Sequence, residues 1–253
     1  MRVDLNADVG ESFGAYTIGH DAILLQHITS ANVACGFHAG DPGVMRATVA
    51  LAKHHGVAIG AHPGFADLVG FGRRELYATP REVEDLVVYQ IGALAAFAAS
   101  QGERLQHVKP HGALFNMAAR DGALADAIAR AVAGVDRSLV LFGLAGSELV
   151  MAGERAGLRT ASEVFADRAY TPDGTLVSRR TPGAVIHDAA VVVERVVRMA
   201  GEHAVAAIDG SIVRMHVDTI CVHGDTPGAA DLAARIREAL ARAGVVVKAI
   251  RDS

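Results

Sequence analysis

The chain has 253 residues, 51% of them apolar, no Trp, and a formal net charge of −4. That length buries a full core, whether as one large α/β domain or two small ones, and the composition is far from disordered. Basic runs and interleaved aromatics are absent, which argues against a nucleic-acid partner, and no apolar segment approaches the ~18 residues of a membrane-spanning helix.

Met1-Arg2-Val3-Asp4 passes straight into a patterned strand and leaves no room for a signal peptide. Cys35 and Cys221 lie in unrelated segments without metal or redox spacing. Both are expected to be small, buried, reduced thiols in a cytoplasmic chain. Strands are predicted near 2–8, 29–35, 57–62, 107–110, 139–144, 159–165 and 218–223. Between them helices are predicted near 42–55, 80–101, 121–133, 146–156, 187–201 and 227–243. Thr79-Pro80-Arg81-Glu82 is a capping box with Pro at the first helical position, and Asp41-Pro42 and Thr226-Pro227 repeat the cap-then-Pro pattern. Gly56, Gly102, Gly157 and Gly244 fall where helices should stop. Two stretches depart from the repeat. The Gly-rich connection from Gly64 to Tyr77 has the length of a lid or binding loop. The stretch around 170–215, with the turns Pro172-Asp173-Gly174 and Asp209-Gly210, reads as a small excursion beside a single domain spanning 1–253.

Alternating strands and crossover helices argue for a parallel sheet, and the strand faces choose between open and closed forms. Val3, Leu5 and Ala7 oppose Asp4, Asn6 and Asp8. Val57, Ile59 and Ala61 oppose Ala58, Gly60 and His62, while Ile220 and Val222 oppose Thr219, Cys221, His223 and Asp225. Strands covered by helices on both sides should be apolar throughout. One polar or small face suits the inner wall of a seven-stranded parallel β/α barrel. Ligands bind beyond the carboxyl ends of such strands. Five runs end there in Gly with His, Asp, Glu or Lys, at Asp8–Glu11, Gly36–Asp41, Ala61–Gly64, Lys109–Gly112 and His223–Asp225.

Asp8 and Glu11 follow the first strand, with Asn6 one pleat below Asp8, and either carboxylate could act as general base or bind a cation. His38, His62, His111 and His223 each follow a different strand, and imidazole suits proton transfer and metal ligation alike. His54 and His55 close a helix and read as solvated. Lys109, two residues before His111, needs an anion, a carbonyl to polarise, or a partner such as Asp8 or Glu163. Arg73 and Arg74 on the Gly-rich loop could clamp a carboxylate or phosphate. Neither a phosphate-binding Gly-x-x-x-x-Gly-Lys-Ser/Thr loop nor a Gly-x-Ser-x-Gly elbow is present, so ATP, if used, is used without the usual loop.

Several long motifs, in order along nearly the whole chain, resemble the LamB/YcsF family. They are Asp4-Leu5-Asn6-Ala7-Asp8-Val9-Gly10-Glu11, Asn32-Val33-Ala34-Cys35-Gly36-Phe37-His38, Gly60-Ala61-His62-Pro63-Gly64, Gly70-Phe71-Gly72-Arg73-Arg74, Val108-Lys109-Pro110-His111-Gly112, Glu163-Val164-Phe165-Ala166-Asp167-Arg168 and Asp218-Thr219-Ile220-Cys221-Val222-His223. Ala7 departs from the Cys expected in many relatives and weakens any idea of a catalytic thiol there. The resemblance implies a barrel of the glycoside hydrolase/deacetylase group. It also implies ATP-dependent opening of 5-oxo-L-proline to L-glutamate, with ATP as co-substrate and 5-oxoprolinase subunits B and C as partners. Strand-end placement then makes Asp8, His62, Lys109 and His111 the expected catalytic set. Asn6, Asn32, His38, Arg73, Glu163, Arg168 and His223 are expected to bind substrate. A competing expectation is a metal-dependent deacetylase or hydrolase with Asp8, His62 and His111 around one divalent cation; a third makes the chain a non-catalytic scaffold.

Overall fold

The computed structural model describes residues 1–223 and 228–250. Seven parallel strands close into a barrel: β1 (Arg2–Val9), β2 (Ser30–Ala34), β3 (Ala58–His62), β4 (His107–Val108), β5 (Val140–Leu144), β6 (Arg159–Phe165) and β9 (Thr219–Val222). Each pairs with the next, and β9 returns to β1 with Asp4 opposite Thr219 and Ala7 opposite Val222. The strands match the predicted ones in number, order and direction. β4 is shorter than expected because Pro110 has no N–H to give a neighbouring strand. The residues flanking it still donate to the β3 side, Lys109 N to Ala61 O at 2.9 Å and His111 N to Pro63 O at 2.8 Å.

The helices are α1 (Asp21–Leu24), α2 (Pro42–His55), α3 (Pro80–Ala99), α4 (Gly112–Ala118), α5 (Gly122–Val135), α6 (Glu148–Arg155), α7 (Ala189–Glu202) and α8 (Ala229–Arg242). The Thr79 capping box forms as read: its hydroxyl accepts from Glu82 N, and Glu82 accepts in turn from Thr79 N at 2.7 Å. Asp41 caps α2 through Val44 N, and Gly56 ends it in the left-handed region at φ +65°. The Thr226-Pro227 cap lies outside the described residues. Unpredicted α1 and α4 are short, and α4 starts directly behind His111. The excursion holds an antiparallel hairpin, β7 (Ala204–Ala206) with β8 (Ile212–Arg214), across the expected Asp209-Gly210 turn. A last short strand, β10 (Val246–Val247), pairs with Arg2 and Val3 before β2 joins β1 at Asn6.

The main apolar core lies between the barrel's outer face and the helices. Leu5, Val33, Ile59, Val108, Leu141, Val164 and Ile220 on the strands meet Val49, Ile91, Ile128, Leu149, Val196 and Ile236 on the helices, all at 2% exposure or less. A separate small plug of Val140, Phe142 and Ala161, backed by Ile250, fills the interior on one side. The rest of the interior is polar, and that polarity is what the alternating strand faces encode.

Candidate active site at the carboxyl ends of the strands

Asp4, Asn6 and Asp8 project inward from β1 at successive levels. Asp4 accepts three hydroxyl hydrogen bonds, from Ser30 at 2.7 Å and from Thr29 and Thr219 at 2.6 Å. Above it, Asn6 donates to Thr219 at 2.7 Å and its Oδ1 accepts from Asn32 at 2.7 Å. Asn32 also donates to Asp8 Oδ1 at 2.9 Å, and His107 donates to Asn32 Oδ1 at 2.8 Å. Asn6 and Asn32 are fully buried with these groups engaged. They therefore fix the position of Asp8 and Lys109 in the structure instead of standing open at the mouth.

Lys109 is the centre of the next level. Its ammonium lies 2.9 Å from Asp8 Oδ1, 2.8 Å from Glu163 Oε1, 3.1 Å from Cys221 Sγ and 3.3 Å from Asn6 Oδ1. The Glu163 approach is an ion pair outside hydrogen-bond angles. Burial alone would neutralise this lysine, but the Asp8 and Glu163 carboxylates hold its pKa well above the usual value. Burial likewise works against ionised Asp8; the His62 imidazole and the Lys109 ammonium outweigh it and keep the carboxyl well below the ordinary range. Glu163 shares the same single cation, and burial pushes its pKa up despite Lys109. Cys221 is a buried free thiol, as expected, with its pKa driven well up by desolvation.

The histidines form the rim. His62 Nε2 is 3.4 Å from Asp8 Oδ2, and its Nδ1 meets Lys109 O at 2.7 Å. His111 Nδ1 lies 2.9 Å from His62 Nε2, and its Nε2 meets Phe71 O at 2.8 Å. His38 stacks on His111 with ring centroids 3.7 Å apart and planes 3° from parallel. Glu11 Oε1 is 3.8 Å from both His38 Nε2 and His111 Nδ1. On the opposite side His223 Nδ1 is held by Asp167 at 2.7 Å, and this pairing lowers the Asp167 pKa in spite of burial.

Glycine makes room for these rings. A Cβ on Gly60 would fall 2.1 Å from His107 Nε2, one on Gly64 2.7 Å from His38 Nδ1, and one on Gly72 2.7 Å from His38 Cβ. The 64–77 connection is thus a wall of the histidine cluster. It braces itself: Asp67 accepts from Gly70 N at 2.9 Å and pairs with Arg74. Arg73 is exposed, with its guanidinium 4.9 Å from the Phe71 ring centroid. Arg168 is buried and donates to Val177 O at 2.6 Å and Ala184 O at 3.3 Å, so it fastens the excursion to the barrel; burial lowers its pKa to about 10. Among the described residues two groupings have the donor atoms and spacing to hold a metal ion: Glu11, His38, His62 and His111, and separately Asp8, Cys221 and His223.

The sequence model of the LamB/YcsF family matches residues 3–253. The chain belongs to the LamB/YcsF family. Among its relatives is a Bacillus licheniformis protein named as the A subunit of 5-oxoprolinase, 59% identical over 248 residues and 98% of each chain. A Bacillus subtilis protein of the same name is 57% identical over 252 residues, covering all of this chain and 98% of the relative. Those names imply further subunits in the relatives' own assemblies. The solved structure of a lactam utilization protein from Thermus thermophilus superposes with a TM-score of 0.93 at 50% identity, over 99% of this chain and all of the other. No helix among the described residues is long and apolar enough to cross a membrane.

In this LamB/YcsF member the structure brings Asn6, Asp8, Asn32, His38, His62, Lys109, His111, Glu163 and His223 together. It also recruits His107, Asp167 and the Cys221 thiol, which sequence reasoning did not single out. His107 was findable, since it shares the inward face of β4 with Lys109 and His111 at two-residue spacing. Asp167 follows the end of β6 and carried no comparable signal.

Proposed function

We propose that this chain is one component of an ATP-dependent 5-oxoprolinase that opens 5-oxo-L-proline to L-glutamate together with subunits B and C. Supporting the reading above all is the 98% shared length with a relative named as the A subunit of 5-oxoprolinase, on a barrel whose mouth is lined with acid, base and cation. A five-membered lactam is an unreactive amide. Phosphoryl transfer from ATP to its carbonyl oxygen, releasing ADP, leaves a good leaving group on the carbonyl carbon. Water then adds to that carbon, the C–N bond breaks as the ring nitrogen takes up a proton, and a second water releases phosphate from the resulting acyl phosphate to leave glutamate. Asp8, ionised beside Lys109, is the base for water. His223, held through Nδ1 by Asp167, keeps Nε2 for the proton that the ring nitrogen needs. Lys109 and Arg73 offset the carboxylate and phosphate charge. Asn6, Asn32 and Glu163 hold Asp8 and Lys109 in place, while His38, His62 and His111 wall the other side of the substrate.

Three purified subunits mixed with 5-oxoproline and ATP, with each omitted in turn, test this by glutamate release. Product is expected only from the full set with ATP. Glutamate formed without this chain overturns the reading. Convergence of His62, His111 and Glu11 favours a second reading, a cation-dependent hydrolase; release by this chain alone without ATP would establish it instead.

A further inference from the structure

The rim histidines raise a hydrogen-bond accounting problem. A carbonyl oxygen only accepts, so His62 Nδ1, 2.7 Å from Lys109 O, carries a proton. By the same rule His111 Nε2, 2.8 Å from Phe71 O, carries one. His62 Nε2 and His111 Nδ1 are then the two ring nitrogens left over, 2.9 Å apart, and one positive charge has to serve both, either a shared proton or a bound cation. At that separation a proton fits on the line joining them, whereas a metal ion about 2.0–2.1 Å from each sits to one side of it. Glu11 Oε1 adds a carboxylate 3.8 Å from His111 Nδ1.

We propose that His62 Nε2, His111 Nδ1 and the Glu11 carboxylate form a binding site for one first-row divalent cation of the zinc or cobalt kind. Two imidazoles and one carboxylate are the donor set such ions prefer, and metal–nitrogen bonds of about 2.0–2.1 Å fit nitrogens this close. His38 is the reserve ligand. It is buried, neither ring nitrogen has a hydrogen-bond partner, and its Nε2 lies 3.8 Å from Glu11 Oε1. Its ring stacks on that of His111, and its ligand nitrogen lies within 4.8 Å of the other donor atoms. The rival grouping of Asp8, Cys221 and His223 already contains a cation, because the Lys109 ammonium lies 2.9 Å from Asp8 and 3.1 Å from Cys221. A metal there would have to displace a buried ion pair. The site stands on this geometry alone and does not depend on the lactam reading.

Chelator-treated full-length chain is titrated with Co2+ at neutral pH and followed by its visible absorption and by calorimetry. One equivalent is expected to bind with a Kd of about 1 μM or tighter. Glu11→Gln and His111→Gln are each expected to weaken binding about 100-fold, comparable to the 10–100-fold losses from disturbing a metal's surroundings. His38→Gln should cost about tenfold or less, and Cys221→Ser should leave Kd unchanged. Far-UV circular dichroism confirms that each variant is folded; if His111→Gln is not, Glu11→Gln decides. Absence of saturable binding overturns the proposal, since a proton then bridges the two rings. Loss of binding in Cys221→Ser with retention in Glu11→Gln overturns it as well, by placing the ion in the rival grouping.

Discussion

Asp4 and Asp8 stand four residues apart on one face of one strand, both buried, yet their acidities move in opposite directions. Asp4 is surrounded by the hydroxyls of Thr29, Ser30 and Thr219, which satisfy its oxygens without supplying charge, and desolvation raises its pKa. Asp8 meets desolvation too, but His62 and Lys109 outweigh it and the pKa falls. Neutral donors satisfy a carboxylate's geometry; only a cation makes its charge stable away from water. The lower level of the barrel is therefore a structural bolt, and the upper level is a charged, reactive one.

The largest expected effect separates the two levels directly. Lys109→Met and Asp8→Asn should each lower glutamate release by the assembled subunits about 1,000-fold, the scale seen when a preorganised charge is removed. Lys109→Met also strands buried carboxylates and should cost about 3 kcal/mol in urea unfolding. Near-normal turnover in both variants would erase the distinction. Gly72→Ala comes next. At φ +61° with its Cβ 2.7 Å from His38 Cβ and 2.9 Å from His111 Cδ2, it should cost about 1–3 kcal/mol and slow the reaction by disturbing both rings. Asp4→Asn should cost about 1–2 kcal/mol while leaving turnover within about tenfold. Its pH dependence sharpens the comparison. Because the folded pKa of Asp4 is raised, wild-type stability falls as pH rises from about 3.9 through that higher value, and the Asn variant lacks this fall. The penalty of Asp4→Asn should thus be larger at pH 4 than at pH 7. Asp8 behaves oppositely, its contribution being lost as pH falls below about 3.9.

At neutral pH the smallest effect is carried by a slope that develops only in acid. Burial beside Lys109 and His62 lowers the pKa of His107 to about 3, so the unfolded chain takes up this proton first and stability drops as pH falls from about 6.5. His107→Gln should flatten that acid slope by about 1.4 kcal/mol per pH unit in pH-dependent urea titrations. An unchanged slope would show that His107 titrates freely.

Strand count, strand direction and the inward face of β1, β3 and β9 were legible because a barrel strand repeats every two residues. The helix starts at Asp41 and Thr79 were legible because capping is local chemistry. α4 escaped notice: Gly112–Ala118 is too short to show a helical period before α5 begins at Gly122. Arg168 follows β6 beside the site residues in sequence, yet its donors reach the carbonyls of Val177 and Ala184. The Gly64–Tyr77 connection resembled a lid in length, and its Gly64 and Gly72 proved to be clearances for His38 and His111.

By itself, the sequence determined which side chains face the barrel's interior and which strand ends carry chemistry, since alternation and capping act over a few residues. Only the tertiary structure decided who meets whom. Lys109 reaches Asp8 across 101 positions and Cys221 across 112, and His62 faces His111 across 49. The radius, twist and register of the closed barrel set those distances, and no local pattern encodes them.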